Sequence, residues 1–419
     1  MTEPPASDDS IADAPAPVSA DELHGEVQVI DTRDAYLAAV ETLASGTGPY
    51  AVDAERASGF RYSQRAYLIQ VFRRDAGAFL FDPPAIGDFS ELAEVMRHEE
   101  WVLHAASQDL PCLREVGLNP ERIFDTELGA RLAGLPRVGL ATVVEELLGI
   151  HLKKAHSAAD WSTRPLPQEW LVYAALDVEL LPDLRDQVAR LLDEGGKYEI
   201  AMQEFQAVLD KQPPVRQEPW RRLSGMHSLR TPRQLAIARA LWQARDAYAQ
   251  EVDSAPGRLV PDLSLVAAAK AQPASKRELA GLKEFTGRAS RRELDRWWAA
   301  IELGLADPTP PNMRGTGDGV PTPRHWAEKN PEADRRLKLA RAAIGVHAER
   351  MSIPVENMLT PDTLRRVAWE PPAAINATTV GDALALLGAR SWQIEQLAAP
   401  IADAFVEAHQ APATASGDE

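Results

Sequence analysis

The chain has 419 residues, enough for about two to three domains and a sizeable core without disulfide or metal staples. It holds one cysteine, Cys112, which excludes an internal disulfide framework and a cysteine-rich zinc site. No run approaches the ~18 uninterrupted apolar residues of a membrane span, and a net charge of −17 weighs, for the chain as a whole, against a nucleic-acid partner.

Residues 1–26 are rich in Pro, Ala, Asp and Ser and read as a disordered acidic tail. The first 32 residues hold no Lys or Arg and no apolar run, so no signal peptide is read and a cytoplasmic location is expected. From 27 to 211 strand and helix patterns alternate. Val27–Asp31 reads as a strand, Arg33–Ala44 as a helix and Tyr50–Glu55 as a buried strand ending in acids. Tyr67–Phe72 and Ala78–Phe81 form a hairpin signal. Asp88–Arg97 reads as a helix and Trp101–His104 as a strand. After Ser107 the helical period dominates, and Pro111 places the helix opening at Ser107 or Gln108. This order predicts a mixed sheet flanked by helices, not a doubly wound parallel sheet.

A Pro-rich linker is expected over 212–227. A block of short helices follows over 228–306, with breaks at Ala255–Pro261, Gln272–Ser275 and Thr286–Ala289. A second Pro- and Gly-rich linker spans 307–330. Another helical block covers 331–408, broken near Ser352–Pro361 and Trp369–Asn376. A short tail, 409–419, closes the chain. Charge divides with these regions. Residues 1–210 carry 17 basic and 37 acidic side chains, whereas 211–350 carry 25 and 16. The middle of the chain is therefore basic, and the pattern reads either as a phosphate-binding segment joined to a carboxylate-rich one or as ordinary solvated surface.

The chemistry lies in the acids. Asp53 and Glu55 are two apart on a strand and so face one side at the end of an apolar run. Asp109 sits at the opening of the helix after the Trp101–His104 strand. Tyr173 and Asp177 are i and i+4 on a helix and share a face. Taken singly, each has an ordinary structural explanation. Together, Asp53, Glu55, Asp109 and Asp177 form an all-oxygen set suited to hard cations such as Mg²⁺ or Mn²⁺. Two such ions can clamp the attacking and leaving oxygens of a phosphodiester displacement.

These segments resemble the ribonuclease D family within the DEDD 3′–5′ exonucleases. Asp53–Glu55 resembles the first exonuclease motif, His104–Leu110 the second and Tyr173–Asp177 the third in its tyrosine version. Asp160-Trp161 and Arg164-Pro165-Leu166 are also typical of that family. The helical block after Ser228 resembles an HRDC domain, and the block after Pro331 looks like a second, divergent copy. The resemblance implies an α/β ribonuclease H-like exonuclease domain followed by two all-α HRDC-like domains. It implies two divalent ions, one held by Asp53, Glu55 and Asp177, the other by Asp53 with Asp109 acting mainly through water, and it assigns Tyr173 to orienting the attacking water. The expected activity is 3′–5′ exoribonuclease on a single-stranded RNA 3′ end, with precursor tRNA as substrate and a monomeric enzyme. The carboxylate motifs themselves do not separate RNA from DNA, and a catalytically silent RNA-binding scaffold is the rival from another class.

Candidate nucleic-acid contacts are His104, Arg164, Arg221, Arg222, Arg230, Arg233, Arg291 and Arg292, with Arg216, Arg288 and Arg296 in the same clusters. Trp220, Trp297 and Trp298 lie among them as possible stacking faces, although one of the last two can equally be core. Asp125 reads as a helix N-cap or as a group near the metals, and His104 as a site wall or a strand-end filler. Lys153, Lys154 and His156 are loop residues that can meet phosphate or solvent. Arg56 can pair with the site acids or meet substrate.

Overall fold

The structure, a computed structural model, describes residues 27–152, 158–212, 217–315 and 319–410. The expected tail over 1–26, the loop residues Lys153, Lys154 and His156, Arg216, and the tail from 411 onward lie outside the described residues. Six strands form one sheet: β1 (Val29–Ile30), β2 (Thr47–Arg56), β3 (Ala66–Arg74), β4 (Gly77–Phe81), β5 (Glu100–Leu103) and β6 (Arg122–Asp125). Their order is β1-β4-β3-β2-β5-β6. β2, β3 and β4 pair antiparallel, while β1 on β4, β5 on β2 and β6 on β5 are parallel. The sheet is thus mixed, as the strand order suggests.

Two local readings change. The helix expected from Ser107 begins at Leu110, after a turn over 106–109. Proline lacks an N–H, so Pro111 fits the first turn of the later start but not the interior of the earlier one. In the stretch read as helical, Arg122–Asp125 is β6, the edge strand beside β5. With four residues it offers too little alternation to register as a strand.

One sheet face packs on the helix Arg33–Ser45 through Tyr36, Val40 and Leu43, which are buried. The other face, with Leu68 and Leu80, packs on the helix Gln168–Glu179 through Leu171, Ala174 and Ala175. The small alanines let that helix lie close to the sheet, which sets the depth of Asp177. Trp161 is fully buried in this layer and stacks obliquely on Trp170, centroids 5.2 Å apart.

The first helical block has its own core, in which Trp220, Leu241, Leu265 and Trp297 are buried. The second half of the expected linker 212–227 belongs to it: 3₁₀ turns form at Pro219–Arg222 and Met226–Ser228, and Trp220 is buried in the core. A Thr231–Gln234 capping box opens the helix Pro232–Glu251. The helix Leu294–Ala306 crosses it so closely that a Cβ on Gly304 would sit 2.5 Å from the Ile237 backbone.

The second block, from the helix Pro331–Met351 to Ser391–Gln410, shares one continuous core with the nuclease region. Trp326, in the expected second linker, is fully buried there. Lys197 donates to the Ser352 carbonyl, and Gln203 accepts from the Ser391 hydroxyl. Among the described residues, no helix is long and apolar enough to cross a membrane.

Candidate active site

β2 delivers the first two acids. Tyr50, Ala51 and Val52 are buried, anchoring the strand, and Asp53 and Glu55 emerge half-buried on the face toward the helix Gln168–Glu179. That helix brings Tyr173 and Asp177. Carboxylate oxygens of Asp53, Glu55 and Asp177 lie within 4.8 Å of one another. Asp109, buried, joins them in lining one cavity of about 330 Å³, together with His104 and Tyr173. The five residues expected to carry the chemistry therefore meet at one place.

The fourth acid is placed by a fifth. Asp125, at the end of β6, accepts backbone N–H bonds from Ala105 and Ala106 at 3.0 and 2.9 Å. It also caps the helix Thr126–Ala133 through the N–H groups of Glu127 and Leu128. Ala105 holds the left-handed φ of 63° that turns the chain from β5 toward Asp109. Asp125 is a helix N-cap, and through the same carboxylate it fixes the turn that presents Asp109. Burial pushes its carboxyl up to about 6 even against these hydrogen bonds.

Four carboxylates in a poorly solvated pocket raise one another. Asp177 and Asp109 are held well above the usual range, by burial first and then by the Asp53 charge. Glu55 is raised likewise by burial and by Asp53, Asp177 and Asp109, and Asp53 by burial. Arg56 lines the same cavity, and its charge counters the rise at Asp53 and Asp109. A single guanidinium cannot balance four acids, and acid-only oxygen donors at this spacing fit hard divalent cations.

Tyr173 hydrogen-bonds Asp177, and burial together with the Asp177 and Glu55 charges pushes its phenol above the ordinary range. It stays a neutral phenol at physiological pH. His104 is a cavity wall as well as a strand-end residue. Its Nδ1 pairs with Thr126 Oγ1 at 2.9 Å, and that hydroxyl also reaches the Leu103 carbonyl. Burial lowers it to about 4, leaving it neutral.

The expected nucleic-acid contacts divide into two sets. Arg164 donates to Asp82 and to the carbonyls of Trp161, Thr163 and Tyr67, which commits its guanidinium to holding the 161–164 turn on the sheet. Arg233 donates to the Gly304 and Asp307 carbonyls, closing the end of a helix. Arg221 stacks on Trp220, pairs with Glu218 and donates to the Asn312 carbonyl. Arg296 pairs with Glu251 and Glu293. These four are framework groups in the structure. Arg222, Arg230, Arg288, Arg291 and Arg292 are exposed. Trp297 is core and Trp298 half-buried. Sequence reasoning passed over Ser58, Gln108 and Leu140, which also line the cavity. Closeness in sequence to an acid is the available signal for the first two, Ser58 lying three residues after Glu55 and Gln108 directly before Asp109, and nothing local marks Leu140.

Residues 27–193 match the family model for a 3′–5′ exonuclease domain, 234–301 that for an HRDC domain, and 319–405 that for a 3′ to 5′ exonuclease C-terminal domain. The second helical block thus has a family description of its own, distinct from the HRDC description of the first. The acid pocket and these matches define a 3′–5′ exonuclease with helical domains behind its catalytic one. A ribonuclease D of Granulibacter bethesdensis is 32% identical over 289 residues, covering 66% of this chain and 69% of that one. A ribonuclease D of Pseudomonas paraeruginosa is 30% identical, covering 75% and 82%. The chain belongs to the ribonuclease D family and is a 3′–5′ exoribonuclease by that membership.

Solved structures agree over nearly the whole length. A crystal structure from Bifidobacterium adolescentis is 37% identical with a TM-score of 0.83, covering 91% of this chain and 97% of that one. Escherichia coli ribonuclease D, an exoribonuclease involved in structured RNA processing, is 26% identical with a TM-score of 0.66, covering 87% and 98%. The α/β fold of the catalytic domain, ribonuclease H-like as expected, is shared with it.

Proposed function

We propose that this chain trims structured RNAs from single-stranded 3′ ends, with precursor tRNA as the substrate class, as a cytoplasmic monomer. The observation that carries this reading is the convergence of Asp53, Glu55 and Asp177 within 4.8 Å, with Asp109 in the same cavity. Asp53, Glu55 and Asp177 would hold one divalent ion and Asp53 with Asp109 a second. Such a pair, Mg²⁺ or Mn²⁺, supplies an acidified water and charge compensation for an in-line displacement.

The chain's own residues do the rest. Tyr173, a neutral phenol tied to Asp177, positions the attacking water and does not deprotonate it. The wall made by neutral His104 borders the terminal nucleotide. The P–O3′ bond breaks, and the product is a nucleoside 5′-monophosphate. Exposed Arg222, Arg230 and Arg291 supply phosphate contacts on the body of the RNA.

The test is mononucleotide release from a 3′-extended tRNA with Mg²⁺ or Mn²⁺, then with chelator, beside a matched DNA strand. Stepwise, metal-dependent shortening of RNA is expected, and Asp53→Asn should abolish it while RNA binding persists. Shortening of DNA alone would overturn the RNA assignment. Equal loss of binding and hydrolysis in a folded Asp53→Asn protein would overturn the site assignment.

A further inference from the structure

A second, larger cavity of about 600 Å³ lies where the first helical block meets the nuclease domain. Its walls include Phe60 and Arg61 from the loop after β2, Asp160 from the 158–162 turn, and Arg258, Arg288 and Arg292 from the block. Both nuclease segments also wall the catalytic cavity. Ser58 lines the first cavity and Phe60 the second; Ala159 lines the first and Asp160 the second. Consecutive Cα atoms are about 3.8 Å apart, so the two cavities adjoin along two independent chain segments.

The charge of the second cavity is opposite to that of the first. Its two acids are engaged: Asp253 takes the Ser63 N–H and the Tyr67 hydroxyl, and Asp160 takes the Ser162 hydroxyl. Its arginines are less so. Arg61 and Arg258 each spend one Nε, on Ser162 Oγ and on the Gly59 carbonyl, and Arg258 also lies 4.0 Å over the Phe60 ring. Arg288 and Arg292 are exposed and have no ion-pair or hydrogen-bond partner among the described residues. Guanidinium groups with unused donors in a concave wall fit phosphate.

We propose that this interdomain cleft is the track for the nucleotides immediately upstream of the scissile bond, with Arg288 and Arg292 gripping their phosphates. The inference rests on the exonuclease reading of the acid cavity. The enzyme then needs a short single-stranded stretch reaching from the acid cavity into the cleft, and catalytic efficiency rises with RNA length until the cleft is filled.

The experiment measures kcat/KM on single-stranded RNAs of two to eight nucleotides, for the wild type and for Arg288→Ala/Arg292→Ala, over a salt series. The expected loss grows with length, from under two-fold on the dinucleotide to about ten-fold or more on the octanucleotide. It falls on KM, and the salt slope drops by about 0.7 for each phosphate contact removed. Arg288→Lys/Arg292→Lys should restore the salt slope and most of the length dependence. A loss equal at every length, or none at any length, would overturn the track. A wild type that cleaves no RNA at all would overturn the exonuclease reading instead.

Discussion

Arg390 forks onto Glu204, its Nε and Nη2 meeting the two carboxylate oxygens at 2.6 and 2.5 Å. Trp392 adds its indole N–H to the same carboxylate at 2.7 Å. Glu204 belongs to the nuclease region and both partners to the last helical block, so one buried acid latches the two together. Glu204→Ala strands a guanidinium and an indole N–H at the interface. It should cost about 3 kcal/mol, read as a lower melting temperature, and limited proteolysis should then release the 319–410 region early.

Asp125 serves four backbone N–H groups with one side chain. Asp125→Ala leaves buried donors unpaired and removes a helix cap, a loss of about 2–4 kcal/mol in urea unfolding. Activity at temperatures where the variant is folded should fall too, because the turn presenting Asp109 loses its anchor. A variant with lowered stability and unaltered kcat would show that the turn holds without Asp125.

The raised carboxyls make ion-free stability depend on pH. Between the ordinary carboxylate range and the raised values, the folded site keeps protons that the unfolded chain has released. Stability of the ion-free protein therefore falls as pH rises through that window. With chelator, the melting temperature should be lower at pH 8 than at pH 6, and divalent ions should recover more at pH 8. Asp177→Asn removes one of the repelling charges. It should raise the ion-free melting temperature at pH 8 by about 2–4 °C, the shift for ~1 kcal/mol, while hydrolysis disappears.

Tyr173→Phe keeps the ring and removes the hydroxyl. The expected result is a fall in kcat of about 10–100-fold with little change in KM. The pH–rate profile should keep its shape, since the phenol is neutral throughout the working range. A lost alkaline limb would instead identify Tyr173 as the titrating base.

Much of the site was legible because strands and helices translate spacing into facing. Asp53 with Glu55, and Tyr173 with Asp177, follow from periods of 2 and 3.6. The long strands and most helices followed from apolar alternation in the same way. What stayed hidden depends on partners distant in sequence. β6 is recognisable only beside β5. Arg164 reads from its sequence as a phosphate ligand, and only the fold surrounds it with Asp82 and three carbonyls. The cleft at Arg61 and Arg292 exists because the loop after β2 and the start of β3 are pinned to the helical block, through Asp253 to Ser63 and Tyr67 and through Asp246 to Tyr62. No local pattern announces such a docking.

The core shared by the nuclease region and the final helices has a consequence in time. Glu204 and its neighbours leave the ribosome long before Arg390 and Trp392 exist. At roughly 5–20 residues per second, the gap is about 10–40 s. During that interval the nascent nuclease domain carries an uncovered apolar face with an unpaired acid in it. The catalytic domain is finished last by the part of the chain farthest from its chemistry, and its vulnerability to premature association is greatest midway through its own translation.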